Sequence, residues 1–268
     1  MKILITGNRG FIGSHLFNYF SKQHEIFGFD LLDSQDLRNY ESCLEHTKVV
    51  DVVLHQAARN SVPFSIEFPG ETFDHNITGF VNLIKASEVN KVRLFVYASS
   101  SAASCPMSPY GFSKRVNECT ASLYNLTTIG LRYFNVYGPN QRDGNEPYAP
   151  VISKWLKEKE INIFGDGFQE RSFTHVSDVV NANEIVLNGY MREDMKDKIQ
   201  HKIFDVCGDS IKIIDLAEYM AKKLNKNIVF GPKRKGDIVT PLKEFGYLNT
   251  KLNFKPIYQG IDELIEGK

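Results

Sequence analysis

The opening residues Met1-Lys-Ile-Leu-Ile-Thr6-Gly7-Asn-Arg-Gly10-Phe-Ile-Gly13-Ser-His-Leu16 constrain this chain more than any other stretch. A short apolar run, three evenly spaced glycines and an apolar pattern at helical spacing predict a strand, a tight turn and a helix in succession. Gly7 is placed to make the turn and Gly10 to let the backbone approach a pyrophosphate. Gly13 lets the helix pack closely on the strand. The unpaired amides at the helix start then face an anion, with Asn8, Arg9, Phe11 and Ile12 completing the cradle.

The next apolar segment, Glu25-Ile-Phe-Gly-Phe-Asp30, ends in a carboxylate. That is where an acidic side chain bonds the adenosine ribose hydroxyls of a dinucleotide and repels a 2′-phosphate, which favours NAD over NADP. Arg9 and Arg38 are basic residues able to reach a 2′-phosphate, so NADP stays open on the sequence.

Strand and helix patterns alternate from here. Helices are expected over 40–48, 72–89 and 110–124, with strands over 49–55, 93–98 and 127–134. The fold class is therefore α/β, a Rossmann-type doubly wound parallel sheet with a smaller C-terminal substrate-binding lobe. Ligands in such sheets lie beyond the carboxyl ends of the strands, where Gly7, Asp30, Ala57, Ser101 and Asn135 all fall. Residues 1–142 with about 171–207 form the expected dinucleotide-binding unit, and about 143–170 with 208–268 the substrate lobe. In that second half, helices are read over 149–159, 177–187 and 261–266, and strands over 161–164 and 202–206.

Composition narrows the class of partner. Lys plus Arg and Asp plus Glu number 32 each, so the formal charge is zero, and no basic stripe marks a nucleic-acid surface. The four cysteines have no metal-ligand or disulfide spacing. The short apolar start and the lack of a long apolar run predict a cytoplasmic protein without membrane insertion.

Tyr110-Gly-Phe-Ser-Lys114 follows closely on Ser99-Ser100-Ser101. Tyrosine and lysine four apart share a helix face, and an ammonium beside a phenol is expected to lower its pKa. Such a tyrosine can act as general base toward a sugar or alcohol hydroxyl. His55, at the end of a buried strand, and His175, between strand and helix, read as core and capping residues. Asn76 is placed to bond loop backbone near the site, a surface or capping role being equally open.

Seven segments together carry a resemblance: Gly7-x-x-Gly10-x-x-Gly13, His55-Gln-Ala-Ala58, Tyr97-Ala-Ser-Ser-Ser101, Ser108-Pro-Tyr110-x-x-x-Lys114, Leu131-Arg-Tyr-Phe-Asn-Val-Tyr-Gly-Pro139, Ile163-Phe-Gly-Asp-Gly167-x-x-x-Arg171 and Arg234-x-Gly-Asp237. In this order they resemble the extended short-chain dehydrogenase/reductase family, in its NAD-dependent nucleotide-sugar epimerase/dehydratase branch. The resemblance implies Tyr110 as catalytic base, Lys114 as its partner and as a ligand of the nicotinamide ribose, and Ser101 as the serine bonding the reacting sugar hydroxyl. It adds Asp36, Leu37, Gln56, Ala57, Ala58 and Ser99 to the cofactor site. Asn135, Arg171 and Arg234 are implied to hold a nucleotide diphosphate, and Phe164 to flank uracil. The implied activity is C4 epimerisation of a UDP-hexose or UDP-N-acetylhexosamine through a transient 4-keto sugar, in a homodimer joined by the helices over 72–89 and 110–124.

Related 4,6-dehydratases carry an Asp-Glu pair after the residue aligned with Ser101. Ala102 and Ala103 stand there instead, which argues against dehydration. A nucleotide keto-sugar reductase and a catalytically silent NAD-binding module remain as alternatives. Two connections are short, Ser101 to Tyr110 and Asp30 to Asp36. The first suggests a wider sugar pocket, the second the loss of a peripheral strand on the adenine side.

Overall fold

Apolar side chains on both faces of the predicted strands demand a sheet covered on both sides. The computed structural model, which describes residues 1–141, 148–192, 201–233 and 251–267, has one. Its strands are β1 (Lys2–Thr6), β2 (Glu25–Phe29), β3 (Val52–His55), β4 (Leu94–Ser100), β5 (Thr128–Tyr133) and β10 (Lys202–Val206). They run parallel in the order β10-β5-β4-β3-β1-β2. The order reverses between β1 and β3, which opens a crevice at their carboxyl ends. Among the described residues β2 is the sheet edge, consistent with the short Asp30–Asp36 connection.

Strand alternation divides the core in two. Ile3, Ile5, Val52, Leu54, Val96, Ile129 and Leu131 face α1 (Phe11–Phe20) and α8 (Val176–Tyr190). Leu4, Val53, Phe95 and Tyr97 face the other way, toward α2 (Tyr40–Thr47), α5 (Gly79–Val89) and α6 (Pro109–Ala121). Each such fully buried side chain contributes about 1.5–3 kcal/mol.

The helix expected over 72–89 is interrupted. Short α3 (Val62–Glu67) and α4 (Pro69–Phe73) precede a π-helical turn, Asp74–Thr78, before α5 begins. The widened turn carries Asn76, whose amide and carbonyl both bond other elements, and such interruptions occur often at functional sites. Apolar periodicity does not register one inserted residue, so the sequence reads straight through it.

A third apolar cluster lies beyond the sheet. It joins Ile152 and Trp155 of α7 (Val151–Lys157), Ile161 and Ile163 of β7 (Ile161–Phe164), Leu216 and Met220 of α9 (Ile213–Leu224) and Ile261 of α10 (Ile257–Glu266). Small ladders shape this lobe: β6 (Val136–Tyr137) with β9 (Thr174–His175), β8 (Glu170–Ser172) with β11 (Ser210–Lys212), and β7 with β12 (Ile228–Gly231). Gly165 and Gly167 adopt φ of +80° and +78° in the turn after β7, as a Gly-Asp-Gly sequence predicts.

Candidate active site

The crevice begins at the glycine turn. Gly7 has φ +69°, and a Cβ there would lie 2.9 Å from the Ala57 Cα at the end of β3. A Cβ on Gly13 would lie 2.0 Å from the Gly7 carbonyl oxygen, so only glycine lets α1 start this close to β1. Gly10 is the helix N-cap, supplies no side-chain cap, and is followed by a first turn without acidic residues. The Phe11, Ile12 and Gly13 amides at this positive helix end are thus available to an anion.

The surrounding residues form the walls. Asn8 packs against Gly28 of β2, where a Cβ would approach the Asn8 amide nitrogen to 2.5 Å, and its Oδ1 is buried without a partner. Gly28 was not singled out in the sequence, because a lone glycine in a strand pattern does not say what it accommodates. Asp30 accepts the Arg9 amide at 2.9 Å and the Leu32 amide at 3.0 Å. Asp36 is turned to Arg38, which it meets through both carboxylate oxygens, and Arg38 also reaches Asp74 at 2.8 Å. Leu37 sits in the core against Gly79. Ala57 donates its amide to Thr6 Oγ1, while both polar atoms of the buried Gln56 amide lack a hydrogen-bond partner. Ala58 opens the following loop.

On the other side of the crevice, Ser108 caps α6 by accepting the Gly111 amide, and Pro109 pre-sets the first turn. A Cβ on Gly111 would lie 2.8 Å from the Ala102 carbonyl, so the glycine lets the helix close on the short turn after β4. This brings Tyr110 near Ser100, whose hydroxyl favours the phenolate. Ser101, the serine assigned to the sugar hydroxyl, opens a 3₁₀ turn and accepts the Ser104 hydroxyl through its carbonyl. The two positions after it, Ala102 and Ala103, are not acidic.

Lys114 is buried, one turn beyond Tyr110, and donates to the Ala98 carbonyl at 2.8 Å. Burial pushes its pKa down to about 8, opposed by the Glu118 carboxylate. The Tyr110 pKa is raised by burial, with the Ser100 hydroxyl acting against the rise. The Tyr-x-x-x-Lys spacing predicts a shift the other way; here removal of the phenolate from water is the larger cause.

Ser99, expected at the cofactor, has its hydroxyl turned to Glu118. Neighbouring strand residues face opposite sides, and its hydroxyl donates to Glu118 at 2.6 Å in the interior. Glu118 also accepts two bonds from Arg132, at 2.7 and 2.9 Å, and one from Arg115. Glu118 went unread in the sequence, although its position one turn past Lys114 on the same face was available as a signal. Asn76 does bond loop backbone near the site. Its side chain brackets Arg59, accepting the amide at 2.8 Å and donating to the carbonyl at 3.0 Å, and reaches Ser113 beside Lys114.

The expected substrate residues are held by the lobe. Asn135 adopts φ +33° and donates to the Ser172 carbonyl at 2.8 Å, next to Arg171. Arg171 donates to the Glu170 carbonyl, and Phe164 ends β7 partly exposed. Arg234 and Asp237 lie outside the described residues.

The two discounted histidines are structural. His55 is buried between Phe80 and Phe95 and bonds Thr6 Oγ1, with its pKa lowered to about 3 by burial. His175 caps α8, and burial lowers it to about 4. The unfolded chain takes up these protons near pH 6.5 and the fold does not, so stability is present above that value and falls as pH drops toward 4. The urea midpoint should decrease from pH 7 to pH 5, and His55→Gln should flatten that slope. An unchanged slope in the variant would remove His55 as the cause.

Comparison with known proteins agrees with this geometry. The NAD dependent epimerase/dehydratase family matches residues 3–200. The chain belongs to this family. A putative UDP-glucose 4-epimerase of Methanocaldococcus jannaschii is 35% identical over 69% of this chain and 73% of its own length. The crystal structure of UDP-glucose 4-epimerase from the hyperthermophile Thermotoga maritima, solved with UDP-glucose, superposes with a TM-score of 0.88 at 25% identity, covering 99% of this chain and 98% of that one. The UDP-N-acetylglucosamine 4-epimerase of Methanobrevibacter ruminantium, in complex with UDP-N-acetylmuramic acid, gives 0.84 at 28% identity over 99% and 97%. The protein is thus an extended short-chain dehydrogenase/reductase of the nucleotide-sugar epimerase/dehydratase type. No helix among the described residues is long and apolar enough to cross a membrane.

The family's cofactor is NAD, and the residues present fit it. Gly7 and Gly13 let α1 start hard against β1 and the end of β3, the helix start is uncapped, and orphaned buried amide atoms on Asn8 and Gln56 line the same crevice.

Proposed function

We propose that this enzyme interconverts C4 epimers of a UDP-hexose or UDP-N-acetylhexosamine. The observation that supports the reading is the start of α6 closing on the turn after β4, which sets Tyr110 and the buried Lys114 beside the serine run, with no acidic pair after Ser101. Gly7, Gly10, Gly13, Asp30 and the α1 amides would hold NAD, with Lys114 at its nicotinamide ribose. When bound, NAD supplies a reversible hydride acceptor. Tyr110 takes the proton of the sugar 4-hydroxyl, Ser101 bonds that oxygen, and the same phenol returns the proton after the 4-keto sugar has turned over. Lys114, protonated below about pH 8, supplies the positive charge that a phenolate needs one helical turn away. Asn135, Arg171 and Arg234 are assigned to the diphosphate, Phe164 to the base, and the segments 143–170 and 208–268 to the substrate lobe.

Proton NMR of the protein with UDP-glucose, UDP-galactose and their N-acetylamino counterparts, without reductant, tests this reading. Convergence on one mixture from either epimer supports it and names the sugar. No change with any of the four, despite bound NAD, overturns it.

We also infer a homodimer. Phe112 and Val116 are exposed apolar residues on α6, Leu123 is exposed just beyond its end, and Phe73 and Val89 are exposed on the neighbouring helical stretch. A monomeric mass in light scattering at micromolar concentration would overturn that assembly.

A further inference from the structure

Arg9 sits in the glycine turn where a guanidinium would meet a 2′-phosphate, yet its fork is already engaged. Nε and Nη2 donate to the two carboxylate oxygens of Asp33 at 3.1 and 2.8 Å. The arrangement is held from below by Asp30. One of its oxygens accepts the Arg9 amide, and the other accepts the Leu32 amide and so caps the 3₁₀ turn Leu31–Asp33 that presents Asp33. Across the adenine side, Arg38 is likewise bound by Asp36 and Asp74. Three carboxylates thus engage the two guanidinium groups, with Asp30 bonded to the backbone beneath one of them.

We propose that Asp33 sets the dinucleotide specificity of this site by holding Arg9 in a bidentate ion pair, which makes a cation suited to NADP unavailable to it. The inference rests on the NAD site described above and adds a residue to it. A 2′-phosphate would have to displace Asp33 from the Arg9 fork and then face both Asp33 and Asp30. A ribose with free hydroxyls meets neither obstacle. Forked pairing to arginine is what a phosphate requires, so the same side chain serves NADP once its partner is removed. Both side chains are partly exposed, and an exposed pair of this kind carries little of the fold's stability. The specificity is therefore separable from folding.

The test is an exchange competition. The protein as purified is incubated with excess equimolar NAD and NADP, unbound nucleotide is removed, and bound nucleotide is released by denaturation and quantified by chromatography. Wild type should retain NAD. Asp33→Asn, with Asp33→Ser as a second variant, should raise the bound NADP:NAD ratio roughly tenfold or more, the yield of one hydrogen bond to a charged group. Adding Arg9→Gln to Asp33→Asn should abolish that gain. A ratio unmoved in both single variants that still bind NAD overturns the role of Asp33. A gain that persists without Arg9 also overturns it, since loss of repulsion alone would then suffice. Wild type that binds neither nucleotide would overturn the cofactor site itself, a distinct failure.

Discussion

Tyr110→Phe is expected to lower turnover by roughly 10²- to 10⁴-fold, the usual contribution of a positioned general acid–base. The substitution removes one oxygen from a half-buried ring and leaves the α6 cap at Ser108, the Lys114 bond to Ala98 and the glycine turn untouched. Bound NAD should therefore stay near the wild-type amount while epimer interconversion is lost. The two serines separate in the same assay. Ser101→Ala should fall in the direction of Tyr110→Phe, because the role proposed for its hydroxyl is to bond the reacting sugar oxygen, and Ser100→Ala, whose hydroxyl accepts the Ala102 amide, should lose less. A fully active Tyr110→Phe would mean that another group moves the proton. A larger loss in Ser100→Ala than in Ser101→Ala would move the role to Ser100.

Glu118→Ala should cost about 3–5 kcal/mol of stability, the range for removing one partner of a buried ion pair. Its side chain is 1% exposed, and Arg132, itself 6% exposed, donates to it twice. Ser99 and Arg115 add bonds to the same carboxylate, so the truncation leaves several buried donors without their acceptor. The network ties α6 to β4 and β5, and through Arg132 toward Asp205 on β10, so the loss should appear as lower cooperative stability. Glu118→Gln, which preserves shape and an acceptor, should be milder. Urea denaturation of the three proteins checks this. A Glu118→Ala cost below about 1 kcal/mol would place the pair among those that contribute little.

Most of the architecture was legible because two periodicities dominate this chain. The alternation of Ile3, Leu4 and Ile5 between two cores, and of Phe95, Val96 and Tyr97, is the sequence pattern of a sheet covered on both faces. The π-turn at Asp74–Thr78 was not legible, since its purpose is to present Asn76 to residues far away in the sequence. The same holds for Ser99 and Glu118, which meet across 19 positions through a bond that neither local pattern encodes.

The sequence by itself determined the glycine turn, the alternation of parallel strands and helices in the nucleotide half, the carboxylate at Asp30 and the tyrosine–lysine pair, because each follows from local backbone geometry or spacing along one element. Tertiary structure alone decided the order of the strands, that Ser99 and Arg132 converge on Glu118, and that Arg9 is bound to Asp33. Those outcomes depend on burial and on partners from separate elements, and neither quantity is a property of any single stretch of chain.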